Sequence, residues 1–236
     1  QTFDTSQHVT TVRAVSFMAD NAQIVSGSQP LDVIGMADLI IWDIETGDVV
    51  EQFTREALLA DITDIAIVDD ERLLLSGAGF ERVRLFNITT GEVEQTFDAA
   101  HSSFGVQYLP ESQQIFSGTS DGIAVLWDAN TTETSTRVEV QNGWIYASDI
   151  SSNEQYAIVA SDSQLPALLD LETGTVIQTF PRHQTDNVWG VAFDPDGQSV
   201  WTADMSGAIY QWRVQDELLS AGELATWITE NRYIHD

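Results

Sequence analysis

The stretch Thr90-Gly91-Glu92-Val93-Glu94-Gln95-Thr96-Phe97 decides the fold of this chain, because it recurs. Residues 46–53 and 173–180 repeat its Thr-Gly opening and its closing Phe, and residues 1–3 repeat its last three letters. The three closing phenylalanines lie 44 and then 83 residues apart, and the longer spacing is about two periods. The chain is therefore built of repeats, and we expect each copy of the pattern to form the turn into the outermost strand of its repeat.

A second landmark is a short segment of alternating apolar residues before each hairpin, at 12–17, 62–67, 103–108, 144–149 and 188–193. Alternation predicts a strand with one buried face, and a period of about 40 to 45 residues made of short strands is typical of propeller blades. The sequence therefore predicts an all-β propeller with five visible blades. We place them at about residues 4–53, 54–97, 98–138, 139–180 and 181–214, with residues 1–3 as a possible closing strand of the fifth.

The third blade carries a known signature in the order that its strands would follow. It contains His101, then Ser-Gly-Thr-Ser-Asp-Gly at 117–122, then Val-Leu-Trp-Asp at 125–128. These residues resemble the WD-repeat family of β-propellers, and the resemblance extends over nearly the whole chain. The other blades match it less well; blade two, for example, has Phe86-Asn87 where the family has Trp-Asp.

In that family the His, a Ser or Thr, a turn Asp and the Trp form a hydrogen-bonded network that locks each blade. The resemblance implies that His101, Ser117, Asp121 and Trp127 fill these four places. Because the other blades lack one or more of the four residues at the matching positions, we expect only blade three to have the full network. The others would depend more on packing.

The two ends of the chain leave the size of the ring open. Leu218, Leu224, Trp227 and Ile228 recur at helical spacing, so we expect a short amphipathic helix in a C-terminal tail at 215–236. Residues 224–233 resemble tails of bacterial WD-repeat proteins, notably from filamentous green bacteria and their relatives. The five blades form either a complete ring, closed by residues 1–3, or part of a longer propeller. The family rarely closes with five blades, so the resemblance favours a larger ring of about seven.

The charge of the chain is strongly acidic, with 37 Asp and Glu against 9 basic residues, all of them Arg, and a formal net charge of −28. Such a surface repels phosphate backbones and anionic lipid, so we expect no nucleic-acid partner. No apolar run of about 18 residues is present, so we expect no direct membrane insertion. The acidity fits a secreted or surface protein, a protein of a salty cytoplasm, or a scaffold for a basic partner. We favour an extracytoplasmic or cell-surface location over a cytoplasmic one.

Candidate metal and catalytic residues have simpler interpretations. His8, His101 and His183 occupy the position of the family's structural histidine, and the acidic loop 194–197 reads as a Pro-Asp-Gly turn. We therefore expect no metal and no cofactor. The chain has no Cys, no nucleophile elbow and no phosphate loop, so we expect no enzyme. Asn87 and Asn130 begin glycosylation patterns whose use the sequence leaves open.

The resemblance also indicates where a partner would bind. Propellers of this family usually bind partners where the loops that lead into the innermost strands converge. Large aromatic side chains and Arg are enriched at binding hot spots, although aromatic rings here also fit packing between blades. The alignment places the following candidates at this face: Arg13, Thr63, Phe104, Ile145 and Trp189, with Trp144 and Tyr146 beside the fourth.

These observations predict a non-catalytic protein–protein interaction or scaffold module, as an accessory or surface component of a larger bacterial assembly. A protein or peptide is the expected partner, and assembly into a larger complex or polymer fits the same features. Two alternatives stay open: a structural subunit of an extracellular layer, sheath or filament, and an extracytoplasmic sensor domain of a larger signalling protein.

Overall fold

The described part of the chain is all β-structure and forms five antiparallel sheets, which we call blades one to five in chain order. The computed structural model describes residues 8, 11–29, 37–54, 61–77, 82–140, 143–161, 165–180, 183 and 187–214. Blades one to four have four strands each, and blade five has three within these residues. The strands are β1 (Thr11–Phe17), β2 (Gln23–Gln29), β3 (Asp38–Asp43) and β4 (Val49–Thr54); β5 (Asp64–Ile67), β6 (Arg72–Ser76), β7 (Arg82–Asn87) and β8 (Glu92–Asp98); β9 (Ser103–Leu109), β10 (Gln114–Thr119), β11 (Ile123–Asp128) and β12 (Thr134–Glu139); β13 (Ile145–Ile150), β14 (Tyr156–Ser161), β15 (Ala167–Asp170) and β16 (Thr175–Thr179); and β17 (Val188–Phe193), β18 (Ser199–Asp204) and β19 (Ile209–Arg213).

The repeated pattern forms the turn between the third and fourth strands of a blade. Gly47, Gly91 and Gly174 have φ angles of 81°, 71° and 64°, a region that glycine enters without steric cost. Each donates its N–H to the carbonyl four residues earlier, at 2.9, 2.9 and 3.0 Å. In blade three, Thr132 takes the same role with a φ of 63°. The expectation that the pattern leads into the outermost strand is confirmed.

The core of the chain lies between neighbouring blades. The innermost strands pack side by side in chain order: β1 on β5, β5 on β9, β9 on β13 and β13 on β17. Each pair of adjacent blades shares one cluster of buried apolar side chains. In blades one to four the second and third strands are largely buried on both faces, which explains their apolar sequences. The largest fully buried side chains include Phe86, Phe97, Phe116, Trp127 and Phe180.

Close approach of one blade to the next depends on glycine in two second strands. A Cβ atom added to Gly27 would lie 2.5 Å from Cγ2 of Ile62 in blade two. One added to Gly118 would lie 2.8 Å from Cβ of Ile145 in blade four and closer still to its Cγ2. Both isoleucines are fully buried, so these side chains fill the space where a larger residue would project.

Polar side chains tie the innermost strands together. A carboxylate oxygen of Asp64 accepts the N–H of Val106 at 2.9 Å, and one of Asp149 accepts the N–H of Phe193 at 2.7 Å. Between these two links, Gln107 Nε2 donates to the carbonyl of Ser148 at 2.9 Å. Each innermost strand has an edge without a strand partner, so these bonds satisfy backbone groups that the sheets leave unpaired.

Burial raises the pKa of Asp64 to about 6, although hydrogen bonds from Val106 and Ile65 oppose the shift. The folded state therefore binds this proton more tightly than the unfolded state does. Its stabilising contribution is present below the unfolded pKa of about 3.9 and is lost as the pH rises through about 6. We expect Asp64→Asn to make the free energy of unfolding fall less steeply between about pH 4 and pH 6.5, measured by urea denaturation.

The control for Asp64→Asn is Asp70→Asn, which removes one carboxylate at an exposed turn. It corrects for the general loss of repulsion in so acidic a chain. If both variants change the pH dependence equally, the burial of Asp64 is not its cause.

Two expectations fall on residues outside the described ranges. The expected helix belongs to the tail at 215–236, and the proposed closing strand is residues 1–3. Both remain predictions from sequence.

Candidate interaction face

A β-bulge recurs at the same position in four of the innermost strands. In β1, β9, β13 and β17 the register shifts by one residue just after the strand begins, so one residue of the innermost strand has no direct partner. Bulges re-aim side chains and are frequent beside functional sites. The residues at this position are Arg13, Phe104, Tyr146 and Trp189.

The bulge corrects the alignment of blade four. Ile145 pairs with Ser161, as Val188 pairs with Asp204 in blade five, so Ile145 lies one residue before the bulge position. Its side chain is buried and packs over Gly118. Ile145 is therefore a packing residue and not a surface candidate, and Tyr146 takes its place at the face. A one-residue offset is enough to move a strand residue to the other face.

Four of the sequence candidates form one aromatic cluster, which consists of Phe104, Trp144, Tyr146 and Trp189. Phe104 and Trp144 stack with ring centroids 5.1 Å apart and an interplanar angle of 18°. Tyr146 and Trp189 stack at 4.6 Å and 9°. Tyr146 joins the two pairs, with centroid distances of 5.6 Å to Phe104 and 5.8 Å to Trp144. The aromatic cluster thus spans blades three, four and five.

The aromatic cluster remains open to solvent. Trp144 is 45% exposed and Trp189 is 50% exposed. Phe104 and Tyr146 are partly buried. Packing between rings and exposure therefore coexist at this position, and a partner would meet rings that their neighbours already hold in place.

The candidates in blades one and two have a different, polar environment. Arg13 is exposed and donates from Nε to Gln29 Oε1 at 2.7 Å, and Gln29 Nε2 donates to Asp61 Oδ2 at 3.3 Å. Burial raises the pKa of Asp61 to about 6. Thr63 Oγ1 lies 3.2 Å from the carbonyl of Ser103, to which it donates, so Thr63 links blade two to blade three. Thr63 is therefore a structural contact more than a binding candidate.

The structural network expected in blade three forms only in part. His101 Nε2 lies 3.2 Å from Asp121 Oδ2, but the His101 side chain is 51% exposed. Ser117 Oγ contacts Ser103 Oγ and donates to the carbonyl of Gly105 at 2.6 Å, and the buried Nε1 of Trp127 has no hydrogen-bond partner among the described residues. The four residues therefore do not form one connected network.

The connected networks lie in blades one and five, which corrects the expectation that only blade three would have one. In blade five, Thr202 Oγ1 lies 2.8 Å from His183 Nε2 and accepts the N–H of Trp212 at 2.8 Å. His183 Nδ1 lies 3.1 Å from Asp204 Oδ2. Burial of Asp204 is outweighed by hydrogen bonds from Ser206 and His183, which lower its pKa to about 2. Sequence reasoning missed Asp204 because the turn Asp was expected at position 206, which is a Ser, and Asp204 lies two residues earlier.

Blade one has the same arrangement without the carboxylate. Ser26 Oγ lies 2.7 Å from His8 Nε2 and accepts the N–H of Trp42 at 2.7 Å. Burial lowers the pKa of His8. The histidines of blades one and five thus hold structural positions.

The structure shows the conformation of the acidic loop 194–197 and the exposure of the two Asn residues that begin glycosylation patterns. Gly197 donates its N–H to the carbonyl of Asp194 at 2.8 Å, and the Asp194 carboxylate accepts bonds from Trp201 and Gln211, both at 3.0 Å, so the loop is a turn. Asn87 is buried and hydrogen-bonded, whereas Asn130 is exposed.

Within the described ranges, no group of three His, Asp or Glu side chains is placed to hold a metal ion, and no helix is long and apolar enough to cross a membrane.

Comparison with known proteins agrees with this architecture. A family model described as "WD domain, G-beta repeat" matches residues 91–128 and 174–213. Each matched segment runs from the outermost strand of one blade through the third strand of the next, β8 to β11 and β16 to β19. The sequence repeat is therefore offset by one strand from the sheet that it builds.

A distant relative carries the likeness over a longer stretch. The chain is 23% identical over 155 residues to Transcription initiation factor TFIID subunit 5 from Caenorhabditis elegans. The alignment covers 66% of this chain and 24% of the relative, so it spans about a quarter of that protein's length. Taken with the sheet order, these matches show that the chain contains WD repeats in an all-β array of propeller-like blades.

Proposed function

We propose that this chain is a non-catalytic interaction module that binds a protein or peptide partner through the aromatic cluster. The observation that carries the proposal is the cluster of four neighbouring rings from three blades, with two tryptophans about half exposed. Tryptophan and tyrosine are enriched at binding hot spots, and exposed apolar patches often mark interaction sites.

The preorganised geometry of the aromatic cluster supports the proposal. The bulges fix the backbone beneath Phe104, Tyr146 and Trp189, and stacking restrains the rings before any partner arrives. A rigid surface loses less conformational freedom on binding. WD repeats are typical of scaffolds, and the relative's name describes it as a subunit of a larger factor. Both favour a role in assembly, although fold alone does not specify a partner.

The test is a double substitution, Trp144→Ala with Trp189→Ala. We expect it to reduce capture of the native partner from an extract of the source at least tenfold, because hot-spot residues commonly contribute about 2 kcal/mol or more. Captured protein is quantified by mass spectrometry, and the unfolding transition is measured in parallel.

The control for this experiment is Ile177→Ala, which removes an exposed apolar side chain from the outermost strand β16. It should capture the partner as the wild type does. Undiminished capture by the folded double variant would reject the aromatic cluster as the binding site. If the double variant unfolds, Trp144→Phe with Trp189→Phe tests the same site, because it keeps an aromatic ring at each position but removes the indole.

We also propose that the five blades belong to a larger ring of about seven. Blades one and five lie at the two ends of the array. Their outward sides, which we call the end faces, expose apolar residues at repeat positions that are buried in other blades. Val15 in blade one is 63% exposed, whereas Val106 at the same position is buried. Ile209 in blade five is 66% exposed, whereas its counterpart Val83 is buried. Further blades would cover both faces, and a natural protein with a mass near 26.1 kDa would contradict this proposal.

The same end faces also fit a second candidate function, a structural subunit whose copies cover each other's faces in a layer or filament. Heterologous contacts of this kind generate open polymers. Electron microscopy of the purified natural protein separates the two candidates: ordered polymers favour the structural subunit, and dispersed particles favour the interaction module.

A further inference from the structure

We infer that the segment bound by the aromatic cluster presents arginine or lysine side chains to the rings. This inference rests on the proposed function and specifies the chemistry of its partner. Two independent observations lead to it: the kind of charge that surrounds the aromatic cluster, and the way in which its tryptophans are exposed.

The charges described where the innermost strands of blades three to five begin are acidic. At this end of blades three to five, the connections and strand ends that the structure describes contain carboxylates and no Arg. Their acidic residues are Asp98, Asp121, Glu139 and Asp204. Asp121 and Asp204 also contact His101 and His183, whereas Asp98 and Glu139 are exposed. Among the residues that the structure describes there, an approaching cationic side chain therefore meets exposed carboxylates and no Arg.

The whole chain reinforces this local preference. Its formal net charge is −28, and it has no Lys at all. A field of this sign raises the association rate of basic segments and opposes acidic ones. The exposed Arg13 lies in blade one, outside the three blades that form the aromatic cluster.

The tryptophans are placed to receive a cation. Phe104 stacks on Trp144 and Tyr146 stacks on Trp189, and the two tryptophans are nevertheless 45% and 50% exposed. A guanidinium or ammonium group is attracted to the face of an aromatic ring, most strongly to tryptophan, and a guanidinium can also lie flat on it. An uncharged apolar segment could use the rings but would gain nothing from the acidic surroundings.

The experiment compares two peptides on the full chain by isothermal titration calorimetry. One is acetyl-(Gly-Arg)₃-Gly-amide, and the other replaces each arginine with citrulline, which keeps the shape but removes the charge. We expect the arginine peptide to bind at least tenfold more tightly. Trp144→Ala with Trp189→Ala should weaken that binding at least tenfold, whereas Ile177→Ala, with the same net charge, should leave it unchanged.

Two results would overturn the inference. Equal binding of the arginine and citrulline peptides would show that the rings do not select a cation. Equal binding of the arginine peptide to the wild type and the double variant would show that net charge alone attracts it. If the alanine variants unfold, the double phenylalanine variant should bind the arginine peptide more weakly than the wild type, because tryptophan attracts cations best; equal affinity would again contradict the inference.

The outcome also separates this inference from the proposed function. Loss of native-partner capture in the double variant, together with equal binding of both peptides, would support the interaction site and reject its cationic ligand. Undiminished capture would reject the site itself.

Discussion

His183→Ala is expected to lower the free energy of unfolding by about 3 kcal/mol, because it breaks a buried hydrogen-bonded pair. The His183 side chain is 3% exposed, and the Asp204 side chain that it contacts is fully buried. Removal of the imidazole leaves the Asp204 carboxylate with one partner fewer and Thr202 Oγ1 with Trp212 as its remaining contact in this network. Chemical denaturation of the wild type and the variant measures the difference.

The matched variant is His101→Ala, at the corresponding position of blade three. Because His101 is half exposed and its Asp121 contact is screened by water, we expect a loss of less than about 1 kcal/mol. Sequence resemblance alone would predict the opposite order, since blade three has the better match. A larger loss from His101→Ala than from His183→Ala would contradict the networks described here.

Gly118→Ala is the second substitution with a large expected effect. The added methyl would overlap the buried side chain of Ile145, whose Cβ lies 2.8 Å from the new atom, and the rigid contact between blades three and four leaves it little room. Overpacking of this kind typically costs about 1–3 kcal/mol, and we expect a value near the upper end.

The control for Gly118→Ala is Gly190→Ala on the innermost strand of blade five. Its new methyl would meet Cβ of Ala203 at 3.6 Å, an ordinary van der Waals distance. Alanine also restricts the unfolded chain, so this variant should be neutral or slightly more stable than the wild type. Equal destabilisation by both substitutions would show that the close approach to Ile145 is not the cause.

The sequence predicts the architecture well because the repeat has a direct physical meaning. The Thr-Gly pattern requires a positive φ at Gly47, Gly91 and Gly174, and that requirement places a turn at the same point of each blade. Alternating apolar residues likewise mark the innermost strands. Local conformational preferences and burial thus agree, and both can be read along the chain.

The candidate face is harder to predict because one residue decides which side chain it presents. The bulge in β13 moves Tyr146 to the face and Ile145 to the core, and nothing in the alternation of this segment marks the extra residue. Trp144 and Tyr146, which the sequence places beside the expected position, are therefore the residues of blade four that lie at the face. The stacking of Tyr146 on Trp189 joins residues from two blades, and it becomes apparent only when the blades are packed together.

The network of blade three illustrates a second limit. Where blades one and five have Val12 and Val188, blade three has Ser103, and its hydroxyl contacts Ser117 Oγ. Ser117 therefore bonds to Ser103 and Gly105 and not to Trp127. Residue identity at the four family positions does not reveal this competing partner, which comes from a fifth position.

Site-specific photocrosslinking tests the central claim, that the aromatic cluster binds the partner, most directly. A photoreactive amino acid replaces the exposed Met205, whose N–H bonds to Asn187 two residues before Trp189, and in a second protein it replaces Ile177 on the outermost strand β16. We predict that the native partner crosslinks at position 205 and not at 177. Crosslinking at 177 with none at 205 would contradict it.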